Sequence, residues 1–243
     1  MPRFHRLKVL SRLPHPGRGF TQGLIAENGT VWESTGHYGQ SAVRRYHLGH
    51  DQVDFSAAVP AEMFAEGICR VGEHMWQLTW QERVALRWDT RSLALVQTVP
   101  YNREGWGICN AGSCVVTSDG SSELVRRDPQ TLAPLGVVLV HCGGRRVSGL
   151  NDLDWAGGLV WANVAPRHYL AGIDLASGEV THIVDARPAT EPQRGDEQKI
   201  LNGITALAQP GEFLLTGKYW RFLYHVRLTE ARAPRQPETL LTA

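Results

Sequence analysis

Five short segments set a polar or aromatic side chain ahead of a small or acidic residue and an aliphatic one. They are Gln22-Gly-Leu24, Glu66-Gly-Ile68, Trp106-Gly-Ile108, Asn151-Asp-Leu153 and Asn202-Gly-Ile204, and they recur at intervals of roughly 45 residues. A second row, Trp80, Asp119, Asn163 and Lys218, ends the apolar segment that follows four of these starts. Brought to one place, the two rows supply carboxylates, an ammonium, carboxamides and two indoles. That is the make-up of a pocket with apolar walls and a few convergent polar groups. A carboxylate there can move protons, and an ammonium can steady an oxygen that gains negative charge. Each residue also has a purely structural use. Glu66 and Lys218 can pair across a channel, Asn151 and Asn202 can close Asx-turns at strand starts, and Trp80 and Trp106 can fill a core. His47, His50 and Asp51 have a loosely metal-like spacing but fall on a turn and read as solvated. The sequence has no GxSxG, HExxH, P-loop or GxGxxG pattern.

The elements that must position these residues follow from the same period. After each start a turn leads to a second apolar segment, then to a third that alternates basic and apolar residues, as in residues 43–48 and 84–88. In four repeats a fourth apolar strand follows. Four strands per unit and five units predict an all-β fold, a five-bladed β-propeller with four antiparallel strands per blade. The last repeat runs out after Leu228, so an N-terminal strand, residues 7–13, is expected to close the last blade. One propeller domain over residues 1–243 is expected, with residues 230–243 as a tail.

Composition agrees. The 243 residues include 25 Gly, 13 Pro and 8 Trp, a balance that favours many short strands over long helices. A formal charge of +1 gives no electrostatic case for nucleic acid or an anionic membrane, and no apolar run is long enough for a spanning helix. The start, residues 1–10, has no secretory-signal pattern, so a cytoplasmic location is expected, or a periplasmic or secreted one where a signal has been removed. Four cysteines lack zinc spacing and are expected as reduced thiols; Cys109 and Cys114 flank a hairpin loop from which they could face each other.

At these residues the sequence resembles the plant-type and bacterial glutaminyl-peptide cyclotransferases. The resemblance rests on Phe20-Thr-Gln-Gly-Leu24, Glu33-Ser-Thr-Gly36, Tyr38-Gly-Gln-Ser41, Glu66-Gly-Ile68, Gln77-Leu-Thr-Trp80, Glu104-Gly-Trp-Gly107, Ser118-Asp-Gly120, Leu150-Asn151, Ala162-Asn-Val164, Leu201-Asn-Gly-Ile204 and Thr216-Gly-Lys218. These occur in family order from about residue 15 to residue 228. The resemblance implies a five-bladed propeller that converts N-terminal glutamine to pyroglutamate and releases ammonia. It implies no catalytic metal and a peptide or protein with N-terminal glutamine as partner; no cofactor and a monomeric state are expected beside it.

Carried over residue by residue, the family's catalytic set falls on Glu66, Lys218 and Asn151. Its substrate-binding set falls on Phe20, Gln22, Trp80, Trp106 and Asn163. In this chain Ala165 stands where the family has a third pocket tryptophan. Pro166-Arg-His-Tyr169, Asp152, Asp154 and Arg221 also depart from the family pattern. The implied reaction is intramolecular, so the protein needs only to hold one rotamer and manage protons. Glu66 would take a proton from the attacking amine and return it to the departing ammonia, while Lys218 and Asn151 donate to the oxygen. Whether indole burial or the lysine dominates the acidity of Glu66 is open at this level. Other readings use the same scaffold: a peptide-binding propeller with weakened catalysis, an enzyme for a different amine or amide, or a calcium-dependent lactonase-like propeller, where Lys218 would sit poorly beside a dication.

Overall fold

The computed structural model describes residues 1–193 and 195–241. Three antiparallel sheets have four strands each and follow the chain in order. The first joins Thr21–Glu27, Thr30–Thr35, Ala42–His47 and Phe55–Ala58; the second joins Ala65–Val71, His74–Thr79, Val84–Asp89 and Leu95–Pro100; the third joins Ile108–Asn110, Val115–Thr117, Glu123–Arg127 and Pro134–Leu139. An eight-stranded sheet holds the rest, and a two-stranded hairpin at 141–146 stands apart. Burial falls from the first strand to the fourth: Thr21–Leu24 are buried, whereas Phe55–Ala58 are largely exposed. The architecture is all-β and propeller-like. No helix is long and apolar enough to cross a membrane among the described residues.

The eight-stranded sheet explains the strand-like N-terminus. Its order is Leu150–Ala156, Leu159–Val164, Tyr169–Ile173, Val180–Asp185, Arg3–Pro14, Phe222–Glu230, Glu212–Gly217 and Leu201–Ala206. Arg3–Pro14 pairs antiparallel with Phe222–Glu230, with Leu7 opposite Leu228 and Leu13 opposite Leu223. It is longer than residues 7–13, and its first residues also pair in parallel with Val180–Asp185, Phe4 facing Ile183. Leu7 is buried with Val184, Leu201 and Val226, so this one strand seals two hydrophobic layers together. The C-terminal segment returns to the body, where Leu241 is buried beside Cys142 and Val147. Residues 242 and 243 of the expected tail lie outside the described residues.

The first strands pack in a closed cycle around one axis. Thr21–Glu27 contacts Ala65–Val71, which contacts Ile108–Asn110, then Leu150–Ala156, then Leu201–Ala206, which returns to Thr21–Glu27. This approach is close enough to exclude a side chain. A Cβ on Gly107 would lie 1.9 Å from the Asn151 carbonyl oxygen, and one on Gly67 would lie 2.6 Å from that of Trp106. Backbone contact there is direct, the Gly67 amide donating to the Trp106 carbonyl at 2.7 Å. Tryptophans stitch consecutive sheets further out: Trp32 Nε1 donates to the Thr90 carbonyl and Trp76 Nε1 to that of Pro129. Cys109 faces Val116 across its hairpin rather than Cys114, because the pairing sets Asn110 opposite Val115. All four cysteines are buried free thiols.

Candidate active site

Four of the five repeat starts coincide with a slip in strand pairing. The register shifts between Thr21 and Gly23, Ala65 and Ile68, Leu150 and Leu153, and Leu201 and Ile204. A bulge leaves a residue unpaired and re-aims its side chain. Here it turns Gln22, Glu66, Asn151 and Asn202 toward the axis at the mouth where the first strands begin. The second strands end at the same mouth and deliver Trp80 and Lys218. The carbonyls freed by the bulges are satisfied from inside. Ser34 Oγ donates to the Glu66 carbonyl, Gln77 Nε2 donates to Ser34 Oγ at 2.7 Å, and Trp88 Nε1 donates to Gln77 Oε1 at 3.0 Å. Ser118 Oγ serves the Asn151 carbonyl in the same way, at 2.9 Å.

The resulting cavity of about 220 Å³ is lined by Phe20, Gln22, Phe64, Glu66, Trp80, Trp106, Asn151 and Lys218. Seven of the eight residues assigned from the sequence thus meet. Asn163 does not line the cavity; it is buried and its Oδ1 accepts the Gly203 amide at 3.2 Å. Asp119 also stays out, paired with Arg103 at 2.9 Å. Asn202 does more than close a turn. Its Nδ2 donates to the Thr21 carbonyl at 3.1 Å and to Gln22 Oε1 at 2.8 Å. With its oxygen so engaged, the Gln22 amide hydrogen-bonds the Glu66 carboxyl through its NH₂.

Phe64 and Glu104 were missed. Phe64 stands two residues before Glu66, as Phe20 stands two before Gln22, and repeat register alone would have found it. Glu104 is the equivalent residue before Trp106, and its Oε2 accepts from Trp80 Nε1 at 3.1 Å. The aromatic wall is continuous: Phe20 meets Phe64 edge-on at 6.1 Å, and Phe64 meets Trp80 at 5.6 Å. Lys218 Nζ lies 4.3 Å from the centre of the Phe20 ring, within cation–π reach. Behind it, His37 Nε2 and the Tyr219 hydroxyl meet at 2.6 Å. Both have left-handed backbones (φ 114° and 59°), a conformation that non-glycine residues hold only where surroundings enforce it.

Burial governs the charges. The Glu66 carboxyl is pushed well above the usual carboxylate range, by desolvation first. The Lys218 ammonium opposes this, the Asp152 and Glu82 carboxylates add to it, and the Gln22 hydrogen bond opposes it. Burial also lowers the pKa of the Lys218 ammonium, against the pull of Glu66. So desolvation outweighs the lysine at Glu66, the point the sequence left open. Two cavity groups, Asn151 Oδ1 and Trp106 Nε1, are buried and have no protein partner among the described residues. Each costs about 1–3 kcal/mol unpaired, so both are suited to a bound ligand's polar atoms.

Where the other repeats have glycine after the ring residue, the fourth has Asp152. It is fully buried, accepts the Ile204 amide at 2.9 Å, and burial raises its pKa well above the usual range. Asp154 follows at the opposite mouth, which opens as a cavity of about 260 Å³. Burial lifts Asp154 to about 6. The folded protein therefore holds a proton that the unfolded chain, near pKa 3.9, gives up earlier. Stability falls as pH rises from about 4 to about 6. We expect Asp154→Asn to gain on the wild type across that window, by about 1–2 kcal/mol in denaturant unfolding. An equal difference at both ends would remove Asp154 as the cause.

His47, His50 and Asp54 bring ligand atoms within 4.8 Å of one another, but they are exposed, and His47 Nδ1 contacts Asp54 Oδ2 at 2.7 Å. Asp54 replaces the Asp51 of the sequence pattern.

Comparison with known proteins fits this geometry. A family profile described as glutamine cyclotransferase matches residues 1–228. The glutaminyl-peptide cyclotransferase of Arabidopsis thaliana is 33% identical over 238 residues, covering 95% of this chain and 74% of its own length. The crystal structure of Myxococcus xanthus glutaminyl cyclase superposes with a TM-score of 0.88 at 33% identity, covering 96% of this chain and all of that one. Profile, relative and structure agree over nearly the whole length, and the chain belongs to the glutamine cyclotransferase family.

Proposed function

We propose that this protein converts N-terminal glutamine of peptides to pyroglutamate with release of ammonia. The observation that carries the reading is a buried carboxyl, Glu66, sharing a cavity of about 220 Å³ with an ammonium, two carboxamides and four aromatic rings. That space suits one glutamine side chain. Its aliphatic part would lie between Trp80 and Trp106, and Gln22, oriented by Asn202, would address its amide. The substrate brings nucleophile and electrophile on one tether, so holding the ring-forming rotamer supplies much of the acceleration. Glu66, ionised, accepts a proton as the α-amine closes on the γ-carboxamide carbon. Both nitrogens bond that same carbon, so the same carboxyl can return the proton to the departing ammonia. Lys218 and the Asn151 NH₂ donate to the oxygen as charge builds there. The ammonium supplies the cationic partner, so the scheme calls for no metal.

The cyclic packing of first strands supports five blades closed into one domain over residues 1–243; a monomer is the assembly proposed with it. The test is ammonia release from a short peptide with N-terminal glutamine, with the pyroglutamyl product identified by mass. Turnover well above the spontaneous rate is expected; a rate equal to it would overturn the reading. Ala165, in the place of a family indole, favours one alternative, a peptide-binding propeller. Tight binding of the same peptide without turnover would select it.

A further inference from the structure

The cavity holds one side chain, so the rest of a peptide must leave it on some side. Phe20, Phe64, Trp80 and Trp106 wall the cavity from the first three sheets. In the fourth sheet Ala165 follows the second strand, Leu159–Val164, and the chain turns at Pro166, where the Arg167 amide donates to the Val164 carbonyl at 2.7 Å. There a groove of about 480 Å³ begins, lined by Pro166, His168, Thr190, Lys199, Ile200 and Leu201 among others. It opens at the same mouth as the cavity, because Pro166 follows a second strand and Leu201 begins a first strand. The two spaces adjoin through the backbone. The Ile200 carbonyl accepts the Lys218 amide at 2.9 Å, and Leu150, beside Asn151, pairs with Val164.

The groove is built, not a slack loop. Arg187 grips Asp185 through Nε at 2.8 Å and Nη2 at 2.6 Å, Ala189 is buried in the core, and Trp220 Nε1 holds the Lys199 carbonyl at 3.1 Å. Its polar interior is unfinished. Thr190 is 4% exposed, and its hydroxyl has no partner among the described residues. The Lys199 ammonium is already matched by Asp196 at 3.3 Å. A neutral hydroxyl beside a neutralised lysine suits an uncharged amide better than a charged side chain.

Resting on the cyclase reading, we infer that this groove binds the second and third residues of the substrate peptide by their backbone, with the Thr190 hydroxyl as their partner. Ala165 is the opening that connects it to the reacting residue. An extended peptide advances about 3.3 Å per residue, so the second and third residues together reach about 7 Å beyond the reacting glutamine.

The test compares two amidated substrates, Gln-Ala and Gln-Ala-Ala-Ala, by kcat/KM and by binding followed through tryptophan fluorescence. The wild type should favour the tetrapeptide by about tenfold, the scale of one added hydrogen bond with its packing. Thr190→Val should shrink that ratio to about twofold, and Thr190→Ser should keep it. A wild-type ratio near one, or an unchanged ratio in Thr190→Val, would overturn the proposal. Should Thr190→Val fail to fold, Ala165→Trp decides alone: an indole there should close the passage and abolish the length dependence, and an undiminished ratio would overturn the proposal. If neither peptide is turned over, the cyclase reading falls, and the same ratio read from the two Kd values still judges the groove.

Discussion

Glu66→Gln is expected to lower kcat for a glutaminyl peptide by about three orders of magnitude while leaving the fold intact. The amide keeps the shape of the carboxyl and can still meet the Gln22 side chain. It cannot accept a proton from the amine, and nothing else in the cavity is placed to do so: Lys218 is a cation and the other lining groups are amides or rings. Stability should be unchanged or slightly higher, because burial already disfavours a charge at this position. Stopped-time ammonia assays and a thermal melt on the same preparation separate the two effects. A variant within tenfold of the wild type would remove Glu66 from proton transfer. The wild-type profile carries a second signature. Glu66 must be ionised to act, and burial raises its pKa, so kcat should rise with pH along a limb above the usual carboxylate range.

Lys218→Met should cost about a hundredfold in kcat, the scale for losing one donor aimed at a developing oxyanion. Methionine keeps the length and packs against Phe20, where the ammonium now lies 4.3 Å from the ring centre. The sign of the accompanying pH effect is fixed. The ammonium lowers the pKa of Glu66, so removing it raises that pKa and moves the acidic limb to higher pH. A rise in KM with kcat preserved would assign Lys218 to ground-state binding. A fall in kcat without movement of the limb would separate the lysine from Glu66.

Much of this was legible in residue order. The period placed Gln22, Glu66, Trp106, Asn151 and Asn202 on one ring, and their polar character at positions that a core would fill with aliphatics marked that ring as a site. What did not show was backbone irregularity. A bulge is a register slip between two strands, and no single residue announces it, yet four of them aim the ring side chains inward. Asn202 read as a turn residue because its partner, Gln22, is 180 positions away. Asn163 read as a pocket residue because its strand end matches that of Lys218, but its carboxamide is spent on the Gly203 amide. The acidity of Glu66 depends on enclosure and on Asp152 and Glu82, and neither is a property of sequence spacing.

The strand Arg3–Pro14 has a consequence in time. Its antiparallel partner, Phe222–Glu230, lies far along the chain, so a ribosome releases this strand long before that partner. Until both exist, the strands that carry Asn151 and Lys218 are not hydrogen-bonded into one sheet, since that strand links them. Pairings of such long sequence separation form late and slowly. Nascent chains should therefore be inert however many sheets have formed, and activity should appear only once Phe222–Glu230 has emerged and paired. Deletion of Arg3–Pro14 would act at a distance, loosening the spacing of Asn151 and Lys218 through the sheet it links.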